Sequence, residues 1–492
     1  MSEKVALTSA RETMLAVLPS STSSYGEAPE PRFVHLPPSH TKALDPNVQV
    51  VVGMRGAGKS FWWAALQQES LRRLIAGRSQ ALRAVERAVV YVGFGEDPEP
   101  DLYPGRDTLA GLLNDGYEPY FIWRTVVLHA LSSGRDANVV GESPDWASRV
   151  AYVKTHPEAT ERFLYELDHQ LDAKNRYALV LFDALDRSAH DWKEMHSLIR
   201  GLLENALELR PYKRLRLKCF LRSDQLDERS VANFPDASKV ISEQVELSWP
   251  RRELYAMLFQ YLGNAEDGAF RKEIEERFGH RWDNIEVFLP PKPLLRDEEE
   301  QREVFHAIAG PWMGRDRRRG FPYTWVPGHL ADAHGRTSPR SFLAALRKAA
   351  EDTRDRYPEH SYALHYESIK RGVQHASTIR RRELREDYPW VDVLLEPLKG
   401  MVVPIAFEEI AAVWGRQNVL DKLQRDDSSG GRLPPARLKD SAEGLRQDLE
   451  DLGIFLRMKD GRVNIPDVFR VAYGLGRRGG VRPLGRTRGG QV

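Results

Sequence analysis

Apolar residues recur along this chain in two alternating rhythms. Four of the five residues from Val48 to Val52 are valines, an apolar run of the kind that a strand buried on both faces requires. Ala88–Phe94, Tyr177–Asp183 and Leu215–Leu221 repeat the run, and Lys239–Trp249 alternates as a fifth strand would. Between these runs the period lengthens to that of amphipathic helices: one from about Lys59 to Ile75, then Glu118–Leu131, Pro157–Ala173 and Trp192–Leu209. Strands alternating with helices predict an α/β fold, a parallel sheet covered on both faces.

After Trp249 the strand signal fades. Arg251–Leu262 and Ala269–Phe278 read as helices, residues 281–335 as an irregular stretch rich in Pro, Trp and Arg. A helix resumes at Pro339 and runs to about Arg356, and another spans roughly Ser361–Asp387. From Trp390 to Tyr473 the order is helix, helix, hairpin around Asp460-Gly461 and short helix, which is the order of a winged helix. The pattern divides the chain into a flexible leader (1–32), an α/β core (33–250), a helical lid and connecting region (251–389), a winged-helix domain (390–475) and a basic disordered tail (476–492). The leader assignment rests on the run Ser20–Ser24 with Pro29 and Pro31, which can bury little surface.

Composition narrows the class. With 492 residues, 41% hydrophobic and 29% charged, the chain has the balance of a globular protein of about three domains. No run approaches the ~18 apolar residues of a membrane-spanning helix, and Met14–Leu18 falls short of the ~7–15 residues of an export signal. A single cysteine, Cys219, excludes a disulfide framework and a multi-thiolate zinc site, and points to a reducing cytoplasm. The formal charge of +1 gives the chain as a whole no attraction for nucleic acid.

The sharpest chemistry lies in Gly53-Met54-Arg55-Gly56-Ala57-Gly58-Lys59-Ser60, a full match to G-x-x-x-x-G-K-[ST]. A strand enters it and a helix leaves it, which a chance turn would not require. The glycines let backbone N–H groups turn inward around a phosphate, and the helix N-terminus adds positive charge. Gly53, Arg55, Gly56, Ala57, Gly58, Lys59, Ser60 and Phe61 would line a nucleotide; Lys59 can reach the β- and γ-phosphates, and Ser60 can place its hydroxyl on Mg²⁺. The acidic partner is Asp183, at the end of Leu179-Val180-Leu181-Phe182, where it would hold the same Mg²⁺.

Three further residues carry two readings each. Asp186 could activate or position the attacking water, or pair with its neighbour Arg187. Arg222, at the tip of the fourth strand, could place positive charge on the γ-phosphate, or form an ordinary salt bridge. Arg340 projects from the start of the helix that Pro339 opens, where it could reach nucleotide phosphates or serve the fold.

Together these elements resemble the AAA+/STAND branch of P-loop ATPases, in its KAP-like form, over roughly Phe33–Tyr473. Asp183-Ala184-Leu185-Asp186-Arg187 is similar to the version in which a small residue replaces the Glu that AAA+ remodelling enzymes carry directly after the Asp. Phe220-Leu221-Arg222-Ser223-Asp224 is similar to the strand-end arginine segment, and the Arg340 helix and winged-helix pattern to the lid and C-terminal domain. The resemblance implies a P-loop NTPase three-layer fold, ATP and Mg²⁺ as ligands, and a slow or partner-activated ATPase that switches the assembly of a multiprotein complex. It further implies protein partners, an oligomer and, for some relatives, a part in anti-phage defence. A non-hydrolysing ATP-binding scaffold, which Ala184 favours, and a DNA-loading ATPase are the alternatives.

The last alternative rests on arginines at 315, 317, 318 and 319, at 380, 381, 382 and 385, and at 477, 478, 482, 486 and 488. Such clusters suit phosphate, but equally a solvated or protein-docking face, which near-neutral charge favours. The helix placed to read a groove, Leu438–Leu452, sets Asp440, Glu443, Asp448, Glu450 and Asp451 against Lys439 and Arg446, and that face repels phosphates. If DNA is touched, Lys459 and Arg462 on the wing, or the tail, would do it.

Overall fold

The computed structural model describes residues 6–20, 29–135, 139–226, 231–428, 434–437, 441–478 and 480–483. The chain opens with a helix, α1 (Ala10–Val17), inside the stretch expected to be a loose leader. Two compact units follow from the contacts. One spans 36–248; the other joins α1 and residues 32–35 to everything from Trp249 on.

The first unit is built on five parallel strands: β1 (Val50–Gly53), β2 (Ala88–Phe94), β3 (Tyr177–Phe182), β4 (Leu215–Arg222) and β5 (Val245–Glu246). Their order is β2-β3-β4-β1-β5, so β4 lies between β1 and β3, with Gly53 the register partner of Arg222 and Phe182 that of Cys219. The chain moves one way across the sheet from β1 to β2 and the other way from β2 to β5. Right-handed crossovers therefore put the helices of the first connection on one face and the later ones on the other. The first connection holds α3 (Lys59–Gln67), α4 (Glu69–Arg78) and α5 (Arg83–Glu86), and α2 (Pro38–Leu44) precedes β1. The second and third hold α6 (Arg106–Asn114), α7 (Pro119–Ser132), α8 (Trp146–Thr155), α9 (Pro157–Ala173) and α10 (Trp192–Leu209). This is the three-layer P-loop NTPase fold of the expected α/β class.

Two elements differ from expectation. The single helix from Lys59 to Ile75 is two, because Gln68 is extended (φ −89°, ψ 124°). The break is stabilised by Arg72, whose Nη1 donates to the carbonyls of Leu66 (2.7 Å) and Gln67 (2.9 Å) at the end of α3. The fifth strand is only Val245–Glu246, beside Val51 and Val52; within the alternating stretch, Ser238–Ile241 is a helical turn instead.

The second unit is helical. Helices Arg251–Gly263 and Ala269–Phe278 stand as predicted, but residues 281–335 are not irregular. They hold a hairpin (Asp283–Ile285 with Val287–Leu289) and the helices Lys292–Arg296, Glu298–Ala309 and Pro322–Leu330. Of the prolines in this stretch, Pro293 and Pro322 sit in first turns, where the missing N–H costs nothing, and Pro327 lies inside Pro322–Leu330; Asp297 caps Glu298–Ala309 through the Glu299 N–H at 2.8 Å. Pro339–Arg356 then packs along Tyr366–Asp387, which begins five residues later than the pattern suggested.

The leader expectation is corrected over the described residues. Leu7, Ala10, Met14 and Leu18 are buried with the core of this unit, and α1 lies against Arg251–Gly263 and Pro339–Arg356. The tail expectation is corrected in part. Gly476–Arg477 pairs in parallel with Val402–Val403, and the buried Arg470 donates to the carbonyls of Leu475 (3.0 Å) and Val481 (2.8 Å). Arg486 and Arg488 lie outside the described residues. Towards the C-terminus come helices Phe407–Arg416, Val419–Ser428 and Ala442–Asp451, an antiparallel pair Leu456–Arg457 with Val463–Asn464, and helix Asp467–Arg470. The predicted Leu438–Leu452 helix thus starts at Ala442, while residues 438–440 lie outside the described ones. Among the described residues no helix is long and apolar enough to cross a membrane.

Candidate nucleotide site

β1 is buried along its whole length and ends at Gly53. Two residues of the loop that follows, Gly56 (φ 77°) and Gly58 (φ 101°), are left-handed. A Cβ at Gly58 would meet nothing within 4 Å, so the backbone angle, not crowding, demands glycine there. The loop closes on itself through Ala57 N–H to the Met54 carbonyl at 3.1 Å. α3 starts at Lys59 without a side-chain cap, leaving its first-turn N–H groups without intrahelical acceptors. Arg55 lies half-buried in the loop, and Phe61 meets Trp62 edge-to-face, with centroids 4.9 Å apart. Trp62 is buried and donates through Nε1 to His40 Nδ1 of α2 at 3.0 Å, so that ring anchors the helix.

The Lys59 stem is partly exposed, while its ammonium is enclosed by the loop and donates to the carbonyls of Gly53 (2.8 Å) and Met54 (3.1 Å). Burial pushes its pKa down to about 8; Asp183 opposes that shift, and Arg222 adds to it. These residues, distant in sequence, are therefore electrostatic neighbours. Asp183 follows β3, is 5% exposed and donates its N–H to the Phe94 carbonyl at 3.1 Å. Burial holds the Asp183 pKa above the usual range, and the neighbouring Ser60 hydroxyl opposes that shift. The two expected metal ligands are thus neighbours. A hydroxyl beside a buried carboxylate, facing an ammonium, is a hard-oxygen donor set fitted to Mg²⁺ that shares the remaining ligands with phosphate and water. Among the described residues no group of three or more His, Cys, Asp or Glu gathers as a separate metal centre.

Past Asp183, Ala184 is left-handed (φ 56°) and opens the turn Leu185–Arg187. Asp186 on that turn is felt by both Lys59 and Asp183, so it belongs to the same charge cluster. Arg187 does not turn to Asp186 in a pair; its guanidinium hydrogen-bonds Glu96. Arg222 forms the salt bridge of its second reading. It ends β4 level with Gly53, is 9% exposed, and grips Asp224 with Nε and Nη2 at 3.1 and 3.0 Å.

Arg340 belongs to the helical unit and is exposed there. Its Nη1 donates to Glu383 at 3.0 Å, and Arg380 donates to the same carboxylate at 3.0 Å. Two arginines of the 380–385 cluster, Arg380 and Arg381, are spent inside the fold, while Arg382 and Arg385 are exposed. Arg380 is buried, Arg381 lies over the Tyr473 ring at 4.4 Å and bonds Asp392 at 3.3 Å, and Arg385 is 3.6 Å from Asp392. Arg315 and Arg317–Arg319 are exposed. Arg446 pairs with Glu443 and Glu450 on its own helix.

Sequence reasoning missed His40, Asp224 and Glu96. The last had a signal: it follows a predicted strand end by two residues, as Asp183 follows its own strand by one.

No protein-family model matches the chain, and no curated protein sequence does. Among solved structures it is similar to the ORC2 protein of Aeropyrum pernix in its ADPNP–ADP complexes, with a TM-score of 0.37 and 15% identity, covering 89% of this chain and 93% of that one. It is similar also to Cdc6p from Pyrobaculum aerophilum, with a TM-score of 0.31 and 11% identity over 94% and 95% of the two chains.

Proposed function

We propose that this chain is a Mg-ATP-binding and -hydrolysing ATPase of the AAA+ kind, working as a switch that drives assembly or activation of a multiprotein complex. One observation carries the reading: Lys59, Ser60, Asp183, Asp186 and Arg222 form one charge cluster at the ends of β1, β3 and β4. The loop N–H groups and the first turn of α3 would cradle the β-phosphate, and Lys59 would exchange its carbonyl partners for phosphate oxygens. Ser60 and Asp183 would hold Mg²⁺, which supplies charge neutralisation at the phosphates. Arg222 would stabilise charge that develops on the γ-phosphate, and Asp186 would orient the attacking water. ATP as the nucleotide comes from the family resemblance, as does the reading of the C-terminal helices and hairpin as a winged helix.

Removing the ammonium tests this. Lys59→Ala abolishes ATP binding measured by titration calorimetry, and undiminished affinity refutes the assignment. Asp186→Asn slows phosphate release and spares binding. Ala184 favours a second reading, a scaffold that binds ATP and does not turn it over. Steady-state phosphate release, with and without candidate partners, separates the two.

A further inference from the structure

Glu96 lies two residues beyond the end of β2, the neighbour of β3. Phe94 is the register partner of Phe182, and its carbonyl accepts the Asp183 N–H at 3.1 Å, so the two strand ends stay level. At Gly95 a Cβ would come within 2.9 Å of the Trp63 ring on α3. β2 therefore leaves the sheet against the helix that Lys59 begins, one turn from the phosphate loop. Glu96 is the next residue, with its side chain 25% exposed, and its carboxylate accepts a hydrogen bond from the Arg187 guanidinium. Arg187 closes the turn that follows Asp183. The pair ties together the ends of two adjacent strands at the rim of the nucleotide site.

The fold does not need this pair. The Arg187 side chain is 55% exposed, and an ion pair that open to water stabilises by only ~0–1 kcal/mol, so exchanging it loses little. The residue after Asp183 is Ala184, which cannot take a proton. Asp186 already sits in the inner cluster with Lys59 and Asp183. Glu96 is a carboxylate at the rim, kept in place by a partner that gives way at small cost.

We propose that Glu96 is the catalytic residue that accepts the proton of the attacking water, and that Arg187 is the positioning residue that holds it. The inference rests on the ATPase reading above and adds the proton acceptor that reading lacks, leaving Asp186 to orient the water. As the water oxygen bonds to Pγ, the bond from Pγ to the bridging oxygen breaks and ADP leaves with its electron pair. One water proton passes to a Glu96 carboxylate oxygen and then to solvent. No further reactant is consumed.

The test compares the wild-type full chain, Glu96→Gln, and the charge swap Glu96→Arg with Arg187→Glu. Affinity for Mg-ATP, melting temperature and single-turnover phosphate release are measured for each. We expect Glu96→Gln to slow turnover about 100-fold or more, with ATP affinity within about threefold and an unchanged melting temperature. The swap rebuilds an ion pair without a carboxylate at position 96, so turnover stays low. Turnover of Glu96→Gln within about tenfold of wild type, or recovery in the swap, overturns the proposal. So does loss of affinity or melting temperature in step with turnover, which marks a structural pair. Wild-type chain that binds ATP and never releases phosphate, alone or with partners, overturns it too. Wild-type chain that binds no ATP sinks the ATPase reading itself, a separate result.

Discussion

The Ser60 hydroxyl and the Asp183 carboxylate are electrostatic neighbours, which brings the first turn of α3 to the end of β3. Asp183→Asn keeps an oxygen for Ser60 and nearly the same volume, but offers a dication no charge. In the presence of Mg²⁺ its ATP affinity falls about tenfold or more, and in EDTA it matches the wild type. Titration with a fluorescent ATP analogue under both conditions checks this. An equal loss in both would mean that the side chain serves the loop and not a metal.

Arg222 comes to the site because β4 runs between the strand that delivers the loop and the strand that delivers Asp183. Its fork on Asp224 fixes the guanidinium plane. Arg222→Gln lowers single-turnover hydrolysis about 100- to 1000-fold, the range for one removed charge-stabilising donor, with a smaller effect on ATP affinity. Asp224→Asn keeps the guanidinium and loses only part of its orientation, so its loss is nearer tenfold. Full turnover in Arg222→Gln would reduce the residue to a clamp on Asp224.

Lys218 is enclosed in β4, and its ammonium donates to the carbonyls of Ala43 (2.7 Å), Asp45 (2.9 Å) and Val48. It closes the C-terminus of α2, where a cation is favoured, and fixes the chain just ahead of β1. Burial pushes its pKa from 10.5 down to about 7. Between those values the unfolded chain holds a proton that the folded chain has released, so this group makes stability rise with pH across that window. Lys218→Met removes the donors and the titration together. It costs about 3 kcal/mol or more, since buried carbonyls lose their partners. Urea denaturation at pH 7 and pH 9 should show the wild-type advantage growing with pH; an advantage that shrinks would mean that the charged ammonium is what the fold requires.

What the sequence reveals follows the range of the forces involved. The strands are legible because a sheet covered on both faces needs continuous apolar runs, and even the edge strand Ala88–Phe94, half-buried over Val89–Val92, matches to the residue. The phosphate loop is legible because local backbone conformation dictates Gly56 and Gly58. Asp183 is legible as a charge ending an apolar run. Contacts between distant segments leave no such trace: the Glu96–Arg187 pair needs the sheet order, and His40 under Trp62 the packing of α2 on α3, before they can be seen. The helices at Lys292–Arg296 and Pro322–Leu330 are hidden for another reason, because prolines that begin helices look like prolines that break them.

α1 is the clearest case of a segment judged by its neighbours in sequence. The Ser-rich run after it made the whole leader look unable to bury surface, yet Leu7, Ala10, Met14 and Leu18 are at most 1% exposed. The helix is also tied down by polar contacts, with Arg347 donating to the carbonyls of Leu15 (3.0 Å) and Leu18, and Arg11 to that of Ala363 (3.0 Å). Met14→Ala therefore costs about 2–5 kcal/mol, the range for a large-to-small change in a packed core. Glu12→Ala, on the exposed side of the same helix, stays within about 0.5 kcal/mol. Urea denaturation of the two full-length variants checks the contrast. If both were neutral, the apolar face of α1 would not contribute to the stability of the helical unit, and the leader would be as dispensable as its serines suggest.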